Sequence, residues 1–130
     1  MPKFRKKIVP KTTNNITTGI VNFLINEGHS ASRVNVQGQW DEVRGLWRPS
    51  KSRKGFADID CVLRTRYKMC KGSFIGVSLK IEVKKGDDEM SEEQIKFRIE
   101  VLEAGGLYFI ASDVEHFVWW YNLFIKNNYL

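Results

Sequence analysis

Apolar residues change period along this chain, and that change limits the folds open to it more than any other feature. Phe56 to Leu63 and Val77 to Lys84 alternate apolar with polar, the two-residue repeat of β-strands that bury one face. On either side the repeat lengthens. Ile16, Ile20, Val21, Phe23 and Leu24 fall three and four apart before Gly28, which predicts a helix from about Asn15, although Thr17, Thr18 and Gly19 inside it are poor helix formers. Ser91-Glu-Glu-Gln94 has the form of a capping box, and Ile95, Ile99 and Leu102 continue a helical stripe until Gly105-Gly106. Leu107 to Ala111 reads as a short buried strand. Asp113 caps a last helix through Asn122 or beyond, whose Phe117, Trp120, Tyr121 and Phe124 fit a core better than a base-stacking surface. Arg33-Val-Asn-Val-Gln alternates like a further strand, Gln39 to Pro49 fits either a hairpin or a loop, and Arg64 to Gly76 reads as a basic connection containing a turn. The order predicted is α-β-β-β-α-β-α, a layered α/β domain whose mixed β-sheet is flanked by helices.

At 130 residues the chain supports one core, so a single domain over 1–130 is expected, with a basic arm over about residues 1–11 carrying Lys3, Arg5, Lys6, Lys7 and Lys11. Its longest apolar run, Phe117 to Tyr121, falls far short of the roughly 20 residues of a membrane span. The basic start leads into polar Lys11-Thr-Thr-Asn-Asn and not an apolar segment, so no secretory signal is read and the cytoplasm is the expected location. Cys61 and Cys70 are then expected as free thiols, and neither they nor His29 and His116 have zinc-site spacing. Charge is unevenly spread: residues 1–72 hold 15 Lys and Arg against 5 Asp and Glu, whereas residues 73–130 hold 6 against 10. A polyanion partner for the first part, or merely a solvated basic face, follows from that asymmetry.

The chemistry-bearing residues concentrate in the two clear strands. Asp58 and Asp60 leave one face of the first, about 6.6 Å apart, and Glu82 and Lys84 share a face of the second. If the strands are neighbours, their carboxylates repel unless a cation bridges them, and a hard divalent ion held by carboxylate and carbonyl oxygen would do so. Taken singly, an E-x-K or a D-x-D is an ordinary solvated strand face. The array of Gly55, Asp58, Glu82-x-Lys84 and Ser91-x-x-Gln94, however, resembles the PD-(D/E)XK nuclease superfamily, within it the VRR-NUC type found as small stand-alone phage or bacterial proteins, with Holliday junction resolvases as close competitors. The resembling stretch runs from about Arg33 to Ala111.

That resemblance implies a restriction-endonuclease-like core and a Mg²⁺-dependent deoxyribonuclease, with Mn²⁺ able to substitute, in a bacterial or phage-infected cell. Asp58 matches the motif aspartate, with Ala57 where proline is usual; Glu82 and Lys84 match the E-x-K element and Gln94 the glutamine of the following helix. Asp58, Glu82 and the Val83 carbonyl would hold the metal. A first-helix glutamate that many relatives add has no match among Asn14, Asn15, Thr17 and Thr18. Asp60 has no general counterpart: it is either outer support for the metal ligands or an acidic partner of a nearby Lys or Arg. Arg33, Arg44, Arg48, Lys51, Arg53, Lys54 and Lys85 would contact DNA phosphates, positioning without reading sequence, which favours recognition of a branch, flap or nick. A dimeric junction resolvase, for which a homodimer is required, is the alternative within this chemistry. A non-catalytic nucleic-acid-binding module and a small protein-interaction factor are the alternatives outside it. A replication or recombination partner protein is also compatible with the resemblance.

Overall fold

The computed structural model describes residues 10–34, 39–48 and 53–130. Thr12 opens helix α1 (Thr13–Asn26), its Oγ1 accepting the Asn15 N–H at 3.1 Å, and Ile16, Ile20 and Leu24 bury one stripe of it. The poor helix formers there have tertiary reasons. Thr17 is buried and donates its hydroxyl to the Thr13 carbonyl at 2.7 Å, while a Cβ at Gly19 would come within 2.8 Å of Val114 Cγ2, so glycine lets the last helix close on α1. Strand β1 (Ser30–Arg33) follows; it lies earlier than the strand expected over Arg33 to Gln37 and shares only Arg33 with it, Val34 is already past its end, and Asn35 to Gln37 lie outside the described residues, as do the arm residues Lys3 to Lys7. Gln39 to Arg48 forms a hairpin of β2 (Gln39–Asp41) and β3 (Leu46–Arg48), a small sheet of its own, so of the two forms open to this stretch it takes the hairpin.

The main sheet is four-stranded and mixed, in the order β1, β4 (Ile59–Lys68), β5 (Phe74–Val83) and β6 (Leu107–Ala111). The first three run antiparallel to their neighbours, and β6 joins β5 in parallel after the crossover through helix α2 (Glu92–Glu103). Ile59, Cys61, Leu63, Leu79, Ile81, Val83 and Ala111 are buried on one face against α1 and against α3 (Val114–Trp120), which runs on through a π-helical turn (Tyr121–Ile125) into α4 (Lys126–Tyr129). Phe117, Tyr121 and Ile125 carry that contact; Trp120 is partly buried, and Phe124 remains 37% exposed at the edge of the expected aromatic core. The opposite face is covered only in part, by Phe97 and Val101 of α2 packing on Ala57, Phe56 and Tyr108.

Two expectations are corrected here. The α2 stripe Ile95, Ile99 and Leu102 lies outward, 46 to 49% exposed, because Gln94, Phe97 and Val101 share the neighbouring face and the site below holds Gln94 inward. The basic connection from Arg64 begins as strand, not turn: β4 runs on to Lys68, where Thr65 is buried and donates to the Ile75 carbonyl at 2.7 Å, and the chain reverses only over Met69 to Ser73. Both thiols are free, Cys61 buried and Cys70 exposed. Among the described residues no helix is long and apolar enough to cross a membrane.

Candidate active site

Asp58 sits in the bend just ahead of β4, where its carbonyl accepts the Val34 N–H at 2.9 Å and its Oδ2 accepts the Val83 N–H at 2.8 Å. The aspartate is thereby held between the residue after β1, which bonds its backbone, and the end of β5, which bonds its carboxylate. Ala57 before it is fully buried against Phe97, and Gly55 before that has a φ of +81° and lies so close to α2 that a Cβ would fall 2.4 Å from the Glu93 carbonyl carbon. The loop that delivers Asp58 therefore rests on the first turn of α2.

Glu82 arrives from the neighbouring strand with only 3% of its surface exposed. Its Oε1 accepts Gln94 Nε2 at 3.0 Å and lies 3.8 Å from Lys84 Nζ; its Oε2 is buried with no hydrogen-bond partner. Burial first, and then the adjacent Asp58 carboxylate, push the Glu82 carboxyl up to about 8, against the opposing pull of the Lys84 ammonium. Gln94 is held in turn by the capping box, its Oε1 accepting the Ser91 N–H at 2.9 Å, which leaves its amide donor facing Glu82. Four of the residues expected from sequence, Asp58, Glu82, Lys84 and Gln94, thus converge.

Asp60 does not join them through its carboxylate: it bonds the ammonium of Lys80, its register partner on β5. Among the described residues no group of three or more His, Cys, Asp or Glu converges, so the donors for a cation are Asp58, Glu82 and the backbone at Val83. A hard divalent ion, which tolerates few protein oxygens and completes its shell with water, fits such a set, and the partnerless Glu82 Oε2 is the atom it would satisfy.

Sequence reasoning missed Tyr108. Its hydroxyl is buried without a partner, and burial together with the Glu82 and Asp58 charges pushes its phenol up. Only the parallel register of β6, which sets Tyr108 beside Lys80 and Ile110 beside Glu82, brings it here, and no local pattern encodes that.

The expected phosphate contacts are dispersed and several are engaged. Arg33 donates to Asn14 Oδ1 at 2.5 Å, Arg48 pairs with Asp41 at 2.8 Å, and Arg53 pairs with Glu100 at 2.5 Å while lying over the Phe97 ring. Arg44, in the β2–β3 turn, Lys54, beside Gly55, and Lys85, just past β5, are exposed, and Lys51 lies outside the described residues. The chain matches no protein-family model and no curated protein sequence.

Proposed function

We propose that the protein is a metal-dependent endonuclease that hydrolyses DNA phosphodiester bonds, built on a PD-(D/E)XK-type core and selective for branched, flap or nicked DNA. The observation that carries this reading is the buried Glu82 carboxylate, with one oxygen unpartnered, set against Asp58 and Lys84 at one end of two adjacent strands. A fold gains nothing from two carboxylates held together out of water, so their retention points to a cation that joins them. The element order around the main sheet agrees with what the resemblance implies.

Asp58, Glu82 and the Val83 carbonyl would hold the ion, and Mg²⁺ or Mn²⁺ when bound supplies charge neutralisation at phosphate and activation of water. Gln94 fixes which Glu82 oxygen is engaged by donating to the other. Lys84 places an ammonium 3.8 Å from Glu82 Oε1, from where it would stabilise negative charge developing on a scissile phosphate. Arg44, Lys54 and Lys85 contribute charge that draws the DNA backbone in.

The test is incubation with matched duplex, nicked, flap, splayed-arm and four-way DNA in Mg²⁺, Mn²⁺ or EDTA. Metal-dependent cutting of the branched substrates is expected. Lys84→Ala should lower the rate by about 10² to 10⁴ while DNA binding persists, whereas Lys85→Ala should weaken DNA binding and leave the rate at saturating DNA near the parent. Absence of cutting on every substrate, or a fully active Lys84→Ala protein, overturns the reading. The dimeric junction-resolvase alternative draws on one feature, the outward apolar stripe Ile95, Ile99 and Leu102, and a dimer in sedimentation equilibrium that Ile99→Glu dissociates would favour it.

A further inference from the structure

Alternation along β4 and β5 places Asp60, Val62, Arg64, Ser78, Gly76 and Phe74 on the same face as Glu82, so one surface runs the length of the hairpin. Helix α2 covers its carboxylate end only; from Val62, 49% exposed, the face is open. At the far end the Arg64 guanidinium stands 4.4 Å over the Phe74 ring and the Lys68 ammonium 5.2 Å from it, and Phe74 itself is 42% exposed. Lys71 lies in the turn beyond.

These cations lack counter-charges. No Asp or Glu occurs between Cys61 and Ile81, and among the described residues Arg64, Lys68 and Lys71 make no ion pair. Arg66 differs, since it donates to the Leu130 backbone oxygen at 3.1 Å and helps fasten the strand to the C-terminal helix. Contact with the Phe74 ring orients Arg64 and Lys68 at little further entropic cost on binding.

We propose that this open end of the β4–β5 hairpin is a second DNA-backbone contact, in which Arg64, Lys68 and Lys71 hold a duplex arm remote from the carboxylates. Phe74 lies eight residue steps along β5 from Glu82, about 26 Å, which corresponds to roughly eight base pairs of duplex. A free anion would need no such reach, whereas a duplex lying on a face that leads from the carboxylates meets both ends. The inference rests on the reading of DNA as ligand, but not on cleavage.

Binding of a fluorescent 24-base-pair duplex to the full chain in EDTA, followed by anisotropy across a salt series, tests it. Arg64→Glu with Lys68→Glu should reduce the slope of log affinity against log salt by about 1.8, and Lys71→Glu alone by about 0.9. Lys71→Glu lies in an exposed turn and keeps the test decisive if the double variant fails to fold. An unchanged slope in the folded variants overturns the second contact while leaving the carboxylate site untouched. Parent protein that cuts nothing in Mg²⁺ but shows these slope losses overturns only the nuclease reading. Parent that binds phosphatidylserine vesicles and no duplex overturns the second DNA contact.

Discussion

Replacing Glu82 by Gln removes a charge that the fold holds at a loss. The carboxyl is pushed from 4.5 up to about 8, so the folded state binds its proton more tightly than the unfolded chain does. Stability from this group is therefore complete below pH 4.5 and is lost as pH rises toward 8. At about 1.4 kcal/mol per unit, the loss is about 4 kcal/mol at pH 8, where the folded carboxyl is half ionised, and about 5 kcal/mol well above it. Gln keeps the shape and an oxygen to accept from Gln94, and the Lys84 ammonium already opposes the upward push on Glu82, so its loss of a charged neighbour takes nothing further from the gain. The Glu82→Gln protein should thus match the parent near pH 4.5 and exceed it by about 4 kcal/mol at pH 8, a rise in midpoint of about 15 °C for a chain of this size. Thermal and urea unfolding in EDTA across that range measures it. Saturating Mg²⁺ should restore much of the parent's deficit, since a ligand at 100 times its Kd contributes about 2.7 kcal/mol, and should leave the variant unmoved. Parallel pH profiles for the two proteins would refute the account of Glu82 as a carboxylate strained by burial and by Asp58.

Calorimetric titration with Mn²⁺ should show binding that Glu82→Ala abolishes and Asp58→Asn weakens, because an amide oxygen carries no charge. Gly55→Ala should destabilise by about 3 kcal/mol in chemical unfolding, as its Cβ meets the Glu93 backbone and its φ is left-handed. His29, whose Nδ1 accepts the Arg64 N–H at 2.9 Å while Nε2 donates to Tyr121 Oη at 2.6 Å, is held below its usual range by burial; stability should fall as pH drops below about 6.5, and this acid-side loss should vanish in His29→Gln. Glu100→Gln should free the Arg53 guanidinium and tighten DNA binding, measured by anisotropy at fixed salt.

What the sequence made legible follows from short-range rules. Alternation located both site strands, and the Ser91 to Gln94 signature located the start of α2 and proved correct atom by atom, since both reciprocal bonds form. Spacing alone could not decide which face of α2 is buried. Ile95, Ile99 and Leu102 make a better apolar stripe than Phe97 and Val101, but the tether from Gln94 to Glu82 turns the helix the other way. The reach of β4 past Arg64 was hidden because its outward residues are basic, and a solvated strand face looks like a loop when only polarity is read. Tyr108 and Lys80 depend on register between strands, which no local pattern fixes.

The first turn of α2 serves both carboxylates at once: Glu93 supports the Gly55 loop that carries Asp58, and Gln94 holds Glu82. Helix ends open more readily than helix middles, so this turn sets the lifetime of the arrangement it supports. Fraying by a single turn would break the reciprocal Ser91 and Gln94 bonds, release the Gln94 amide from Glu82 and loosen the floor under Asp58 in one motion. Hydrogen exchange at one backbone proton, the Ser91 amide held by Gln94 Oε1, would therefore time how long both carboxylates stay in place together, even though Ser91 itself lies on the surface.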